Sequence, residues 1–154
     1  MTNKIKTISI SIFTVAAAIF IFSSCSKDDG PPPIQVGSWD AIRISERSLD
    51  GEFVSSDTTY SILLFEKNGT GLEQHQNRAE EKIIDWEVDE NEKTIRYWVE
   101  GKNNSGGTYK DLNAYDIIIS IQNIQEWHTT YRVKPGGSDR FFDVDVTKRL
   151  TRIE

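Results

Sequence analysis

The chain has 154 residues, with 18 basic and 24 acidic side chains and a net charge of −6. That balance argues against nucleic acid or anionic lipid headgroups as a primary partner, because both call for a basic face. The single cysteine excludes an intrachain disulfide, so no covalent staple can hold a fold together.

Lys4 and Lys6 open the chain, and an uncharged run from Ile8 to Phe22 follows. A basic start, an apolar run and small residues before a cleavage point form the pattern of an export leader. The run is short of the ~18–20 apolar residues of a spanning helix, and Ser9, Ser11 and Thr14 dilute it. Phe22-Ser23-Ser24-Cys25 resembles a bacterial lipobox, in which the cysteine thiol receives a diacylglyceryl group, the leader is removed and the new amine is acylated. The resemblance implies a signal peptide over residues 1–24, lipidation at Cys25 and a lipidated tether over 25–33. Each buried methylene contributes about 0.8 kcal/mol, so several acyl chains on Cys25 would hold the protein on a membrane without spanning it. Cleavage leaves 16 basic side chains against 24 acidic, a net charge of −8.

Ser26-Lys27-Asp28-Asp29 resembles the export signal of Bacteroidota lipoproteins sent to the outer leaflet of the outer membrane. It implies an outer-membrane, lipid-anchored, cell-surface protein. Gly30 and the prolines Pro31 to Pro33 then favour an extended polyproline conformation. At about 3.1 Å per residue, the tether reaches on the order of 25 Å.

Residues 34–154 read as one β domain, because side-chain alternation has a period of two and Ile, Val, Thr, Tyr and Trp are frequent. Strands are predicted over 37–44, 58–65, 69–77, 82–88, 94–100, 114–122, 125–133 and 140–147. Leu49-Asp50-Gly51 and Lys67-Asn68-Gly69-Thr70-Gly71 are turn signals, the second a strong one for a hairpin. Residues 101–107 are expected to form a flexible loop. In the fourth strand Ile84, Trp86 and Val88 are expected on one face, opposite Ile83. In the sixth, Tyr115, Ile117, Ile119 and Ile121 are expected to share a face.

Eight short strands at this spacing predict an all-β fold: a small antiparallel eight-stranded barrel, with a β-sandwich as the alternative. A barrel of that size either fills with side chains or holds one small ligand. Gly37-Ser38-Trp39 at the start of the first strand, the run Leu64 to Gly71 and Trp86 together resemble lipocalin-like domains, as does a basic terminus containing Arg149 and Arg152. In that family the first tryptophan packs at the closed end of the barrel beneath a late arginine. The resemblance therefore implies Gly37 and Trp39 as a barrel-closing motif with Arg149 or Arg152.

Candidate chemistry is thin. His75 and His128 lack a metal-ligand spacing and are expected on the surface. No serine sits in a nucleophile motif, and Asp143 and Asp145 read as the wet face of a strand. No catalytic residue, metal or cofactor is expected. Aromatic residues at a barrel mouth could enclose a hydrophobic or amphipathic ligand, which makes Trp86, Tyr97, Trp98, Tyr115, Trp127 and Tyr131 the candidate contacts. Trp98 is out of phase with Tyr97 and Val99 and is expected to face solvent. The reading is a monomeric, non-enzymatic, lipid-anchored binding module. Its alternative is a structural lipoprotein with a filled barrel that contacts an envelope protein.

Overall fold

The period-two alternation becomes eight strands, each hydrogen-bonded to the next, in a computed structural model that describes residues 33–153 apart from 90, 104 and 138. The signal peptide, Cys25 and the segment Ser26 to Asp29 lie outside the described residues. The strands are β1 (Gly37–Leu49), β2 (Glu52–Phe65), β3 (Gly71–His75), β4 (Glu81–Val88), β5 (Thr94–Lys102), β6 (Thr108–Ile121), β7 (Ile124–Val133) and β8 (Phe142–Arg152). Every pairing is antiparallel, and β8 returns to pair with β1 from Trp39↔Arg152 to Ser48↔Asp143. The sheet is thus a closed barrel and not a sandwich. Closure gives every strand two neighbours, although β3 pairs only with Ser61 to Phe65 of β2 and the longer strands run on past the ladder at the open end. Among the described residues there is no helix.

The hairpin from β1 to β2 turns at Asp50 and Gly51, whose φ values of 54° and 84° match the primed turn that suits the strand twist. Pairing then runs back from Leu49↔Glu52, so β2 starts six residues before the predicted Thr58. Two faces were misassigned from the pattern. A β-bulge between Ile83 and Asp85 turns Ile83 inward together with Trp86 and Val88, and leaves Ile84 exposed. A second bulge, between Ile117 and Ile119, keeps Tyr115 and Ile117 inside and puts Ile119 and Ile121 outside. One extra residue reverses the alternation beyond it, and nothing in an apolar run marks where that residue falls. The expected flexible loop is a tight turn. β5 continues through Gly101 and Lys102, and the Asn103 side-chain oxygen accepts from the Ser105 and Gly107 amides at 3.2 and 2.8 Å.

The interior has two unlike halves. The lower half, where the chain enters, is a packed core. Phe65 meets Trp86, Tyr97 and Trp127 at centroid distances of 5.3, 5.6 and 6.0 Å, and Trp39, Leu63, Ile95 and Leu150 complete the core. Residues 33–36 fold beneath Trp39, whose indole N–H donates to the Gln35 carbonyl at 2.8 Å. Arg152 locks this end. Its guanidinium lies 4.3 Å from the Trp39 ring centroid and donates to the carbonyls of Gln122, Val36 and Ile34 at 2.8, 3.0 and 2.6 Å. Gly37, at φ 129°, leaves the room this needs: a β-carbon there would sit 2.5 Å from the Arg152 guanidinium. Arg149 does not share the role. It is two-thirds exposed on the outer face and pairs with Glu126 at 2.9 Å.

Arg152→Ala removes a cation–π contact and three charge-assisted hydrogen bonds to carbonyls near the sealed end. The expected loss is about 2–4 kcal/mol of unfolding free energy in urea melts. A loss below about 0.5 kcal/mol, the range of an ordinary surface substitution, would show that the seal holds without it.

Candidate ligand-binding site

Inward alternation continues up each strand, but above the aromatic core the inward residues become polar. The upper half of the barrel holds a cavity of about 580 Å³ that reaches the mouth at the turn Gln76 to Arg78. Its volume is in the range of small-molecule sites.

The floor of the cavity is a buried ion pair. Lys148 is 1% exposed and lies on β8 between the core residues Val146 and Leu150. Its Nζ donates to Glu73 Oε1 and to the Tyr97 hydroxyl, both at 2.8 Å. Ser61 Oγ donates to the same Glu73 oxygen at 2.9 Å. Burial alone would raise the Glu73 pKa, but the Lys148 ammonium, helped by His75 and Ser61, outweighs it and holds the carboxyl below its ordinary 4.5. Burial, and then the negative charge of Glu73, push the Tyr97 hydroxyl well above its ordinary range, so it remains a neutral donor and acceptor.

Two walls rise from this floor. On one, Arg43 of β1 is half-buried and faces Tyr115 of β6 and Tyr131 of β7. Burial disfavours its charge, yet interaction with the two hydroxyls more than offsets this and raises its pKa. On the other wall, His75 Nε2 is 3.9 Å from Glu73 and 3.8 Å from Glu81. Glu81 accepts a hydrogen bond from Tyr109 at 2.5 Å, which, with some burial, pushes the Tyr109 pKa up to about 12. Glu73, His75 and Glu81 place one ligand atom each within 4.8 Å of one another. The Lys148 ammonium already stands 2.8 Å from the Glu73 oxygen, where it competes with any metal cation.

The six aromatic candidates divide sharply. Tyr115 and Tyr131 line the cavity. Trp127 and Tyr97 are fully buried below it, Trp127 donating to Gln125 Oε1 at 2.8 Å. Trp86 packs on Phe65 and donates to the Glu66 carbonyl at 3.0 Å, at the sealed end. Trp98 is half-buried on the outer surface and pairs across the strands with Asp85 and Leu112. Trp127, Tyr97 and Trp86 fall outside the cavity because aromatic bulk packs the lower barrel, and Trp98 because it faces outward. His128 is on the outer face, 3.0 Å from Asp145, and Asp143 pairs there with Arg132. His75, expected on the surface, is instead an interior residue of the mouth and shares a face with Glu73.

Sequence reasoning singles out neither Arg43 nor Lys148, although their positions carry a signal. Arg43 keeps phase with Trp39 and Ala41, and Lys148 with Val144, Val146 and Leu150. A charged residue in phase with core neighbours points into a barrel, where it must find a partner or water. Comparison with protein-family models, curated proteins and solved structures finds no match for this chain.

Glu73→Gln leaves the Lys148 ammonium buried without its counter-charge. The expected cost is about 3–5 kcal/mol, and Glu73→Leu combined with Lys148→Met should be more stable than Glu73→Gln. Because the folded pKa of Glu73 lies below 4.5, its contribution is present above that pH and lost as pH falls through the folded value. Urea melts from pH 6 to pH 3 should show this acid-side loss in the wild type and a weaker one in Glu73→Gln. Equal slopes would mean that the pair does not set the acid response.

Proposed function

We propose that this chain is a lipid-anchored, non-enzymatic binding module of the outer membrane, displayed at the cell surface, which takes a small ligand into a lipocalin-like barrel. The observation that carries the reading is the cavity of about 580 Å³ above a solid aromatic core and a sealed end. A filled barrel would offer no such space. The lining changes the ligand class first expected from the aromatics. Arginine, carboxylate, hydroxyl and amide groups favour a polar ligand over a hydrophobic one, since an apolar molecule would strip water from charges and return no hydrogen bonds. Anchoring rests on the lipobox-like Phe22 to Cys25 and on the polar segment Ser26 to Asp29.

A specific surface feature favours the second reading, contact with an envelope protein. Ile118, Ile121 and Ile124 on the β6–β7 hairpin, with Ile153 near the terminus, are 58, 54, 48 and 37% exposed near the sealed end. Exposed apolar groups gathered at one end of a domain suit a protein partner. In this reading the protein is a monomer docked through its closed end.

Cys25→Ala should abolish acyl-chain labelling and release the protein from membranes. Persistent labelling would overturn the anchor. Protease added to intact cells should degrade the wild-type protein, and protection would place it on the inner face. For the cavity, protein purified from its host should release a small polar molecule on denaturation, detected by mass spectrometry. Retention of only apolar molecules would contradict the polar reading.

A further inference from the structure

We infer that the cavity recognises a small carboxylate, held at Arg43 between Tyr115 and Tyr131, an inference that rests on the small-ligand reading above. The charges of the cavity are not balanced evenly. Glu73 is neutralised by Lys148 at 2.8 Å, and Glu81 is hydrogen-bonded by Tyr109 and stands 3.8 Å from His75. Among the described residues, no carboxylate lies within ion-pair distance of Arg43. It is the half-buried guanidinium of the inner wall, and its neighbours there are hydroxyls.

The guanidinium presents a planar fork of donors that matches a carboxylate two bonds at a time. A tyrosine hydroxyl accepts one hydrogen bond from the guanidinium and can still donate its own proton. Tyr115 and Tyr131 can therefore give further hydrogen bonds to oxygens already held by Arg43. Tyr115 stands where the aromatic core meets the cavity, 6.1 Å from Trp127 and 95% buried, whereas Tyr131 is 46% exposed. That packing fixes the donor on Tyr115 in advance, which limits the ordering cost of binding.

The other charges of the cavity select among anions. Asp57 and Asp111 line it towards solvent, and Arg47 and Arg78 stand with them. The rim is thus mixed in sign and exerts little net pull. A single charge can pass it and reach Arg43. Arg43 supplies one positive charge, which balances a monoanionic carboxylate but leaves a dianionic phosphate half-neutralised, and a rim of little net charge does not make up the difference. The remaining lining, including Ser45, Thr59 and Asn113, suits hydroxyl or amide groups on the rest of the ligand.

Glucuronate and glucose differ at one carbon, carboxylate against hydroxymethyl, and serve as the probes. Titration calorimetry and thermal shift on the full-length mature protein should show binding of glucuronate at least tenfold tighter than glucose. Arg43→Gln should remove that preference, and Arg43→Lys should restore it only in part. Tyr115→Phe deletes one oxygen from a packed ring and should weaken glucuronate severalfold with an unchanged melting temperature. Equal affinity for the two sugars that falls with Asn113→Ala would overturn the carboxylate assignment and leave the cavity as a neutral polar site. Glucuronate binding that survives Arg43→Gln, tighter binding of inorganic phosphate than of glucuronate, or no response to glucuronate would each overturn it. Absence of any small molecule in protein from the native host as well would remove the cavity reading itself.

Discussion

The contact between the Lys148 ammonium and the Glu73 carboxylate divides this barrel in two. Below it the interior is packed, and above it the interior is a cavity lined by polar and charged groups. A barrel of eight strands could have been filled along its whole length. Here a lysine set between Val146 and Leu150 forbids that, because its charge must be met. Glu73 meets it from β3 across the barrel, with Ser61 and Tyr97 taking up the remaining hydrogen-bonding capacity. Such a pair adds little net stability over a well-packed apolar substitute, since desolvation offsets attraction. Its effect is on shape. It sets the depth of the cavity and keeps the Tyr97 hydroxyl neutral at the boundary.

The sealed end follows from a second charge, used differently. Arg152 sits over the Trp39 ring and binds three backbone carbonyls, two from the incoming chain and one from the turn between β6 and β7. Carbonyls freed at a barrel rim would otherwise need water. One guanidinium thus joins the start, the end and a distant hairpin of the same sheet. Lysine could not do this, because the contact needs a planar group with donors in three directions. With that end shut, the mouth near Gln76 to Arg78 is the entrance to the described cavity.

Much of the architecture was legible in the sequence, and the limits have identifiable causes. Period-two alternation and turn chemistry suffice for eight strands, because each hairpin is local. Asp50-Gly51 announces a turn whatever lies around it. Bulges are not local in this sense. Those near Ile84 and Ile118 sit in apolar runs where either phase is plausible, and the choice is made by neighbouring strands. The site was harder still. Aromatics were the obvious candidates, but bulk alone does not tell core from cavity. Tyr97 and Tyr115 both point inward from neighbouring strands, two positions apart in register, and stack at 6.3 Å, yet only Tyr115 reaches the space above. The informative residues were the charged ones at inward positions, which composition treats as surface.

That distinction bears on what can occupy the cavity. An empty polar cavity is filled with water, and water already satisfies the hydroxyls and amides of its wall. A ligand gains only where it interacts better than water does. For neutral groups the exchange is nearly even. For a guanidinium held half-buried against an aromatic core, hydration is incomplete, and an anion can supply what solvent does not. Arg43 is therefore the position where the difference between ligand and solvent is largest. The mixed charges at the rim are well hydrated and discriminate weakly. Selectivity in this fold is thus concentrated deep in the barrel, next to the buried pair that fixes the cavity floor.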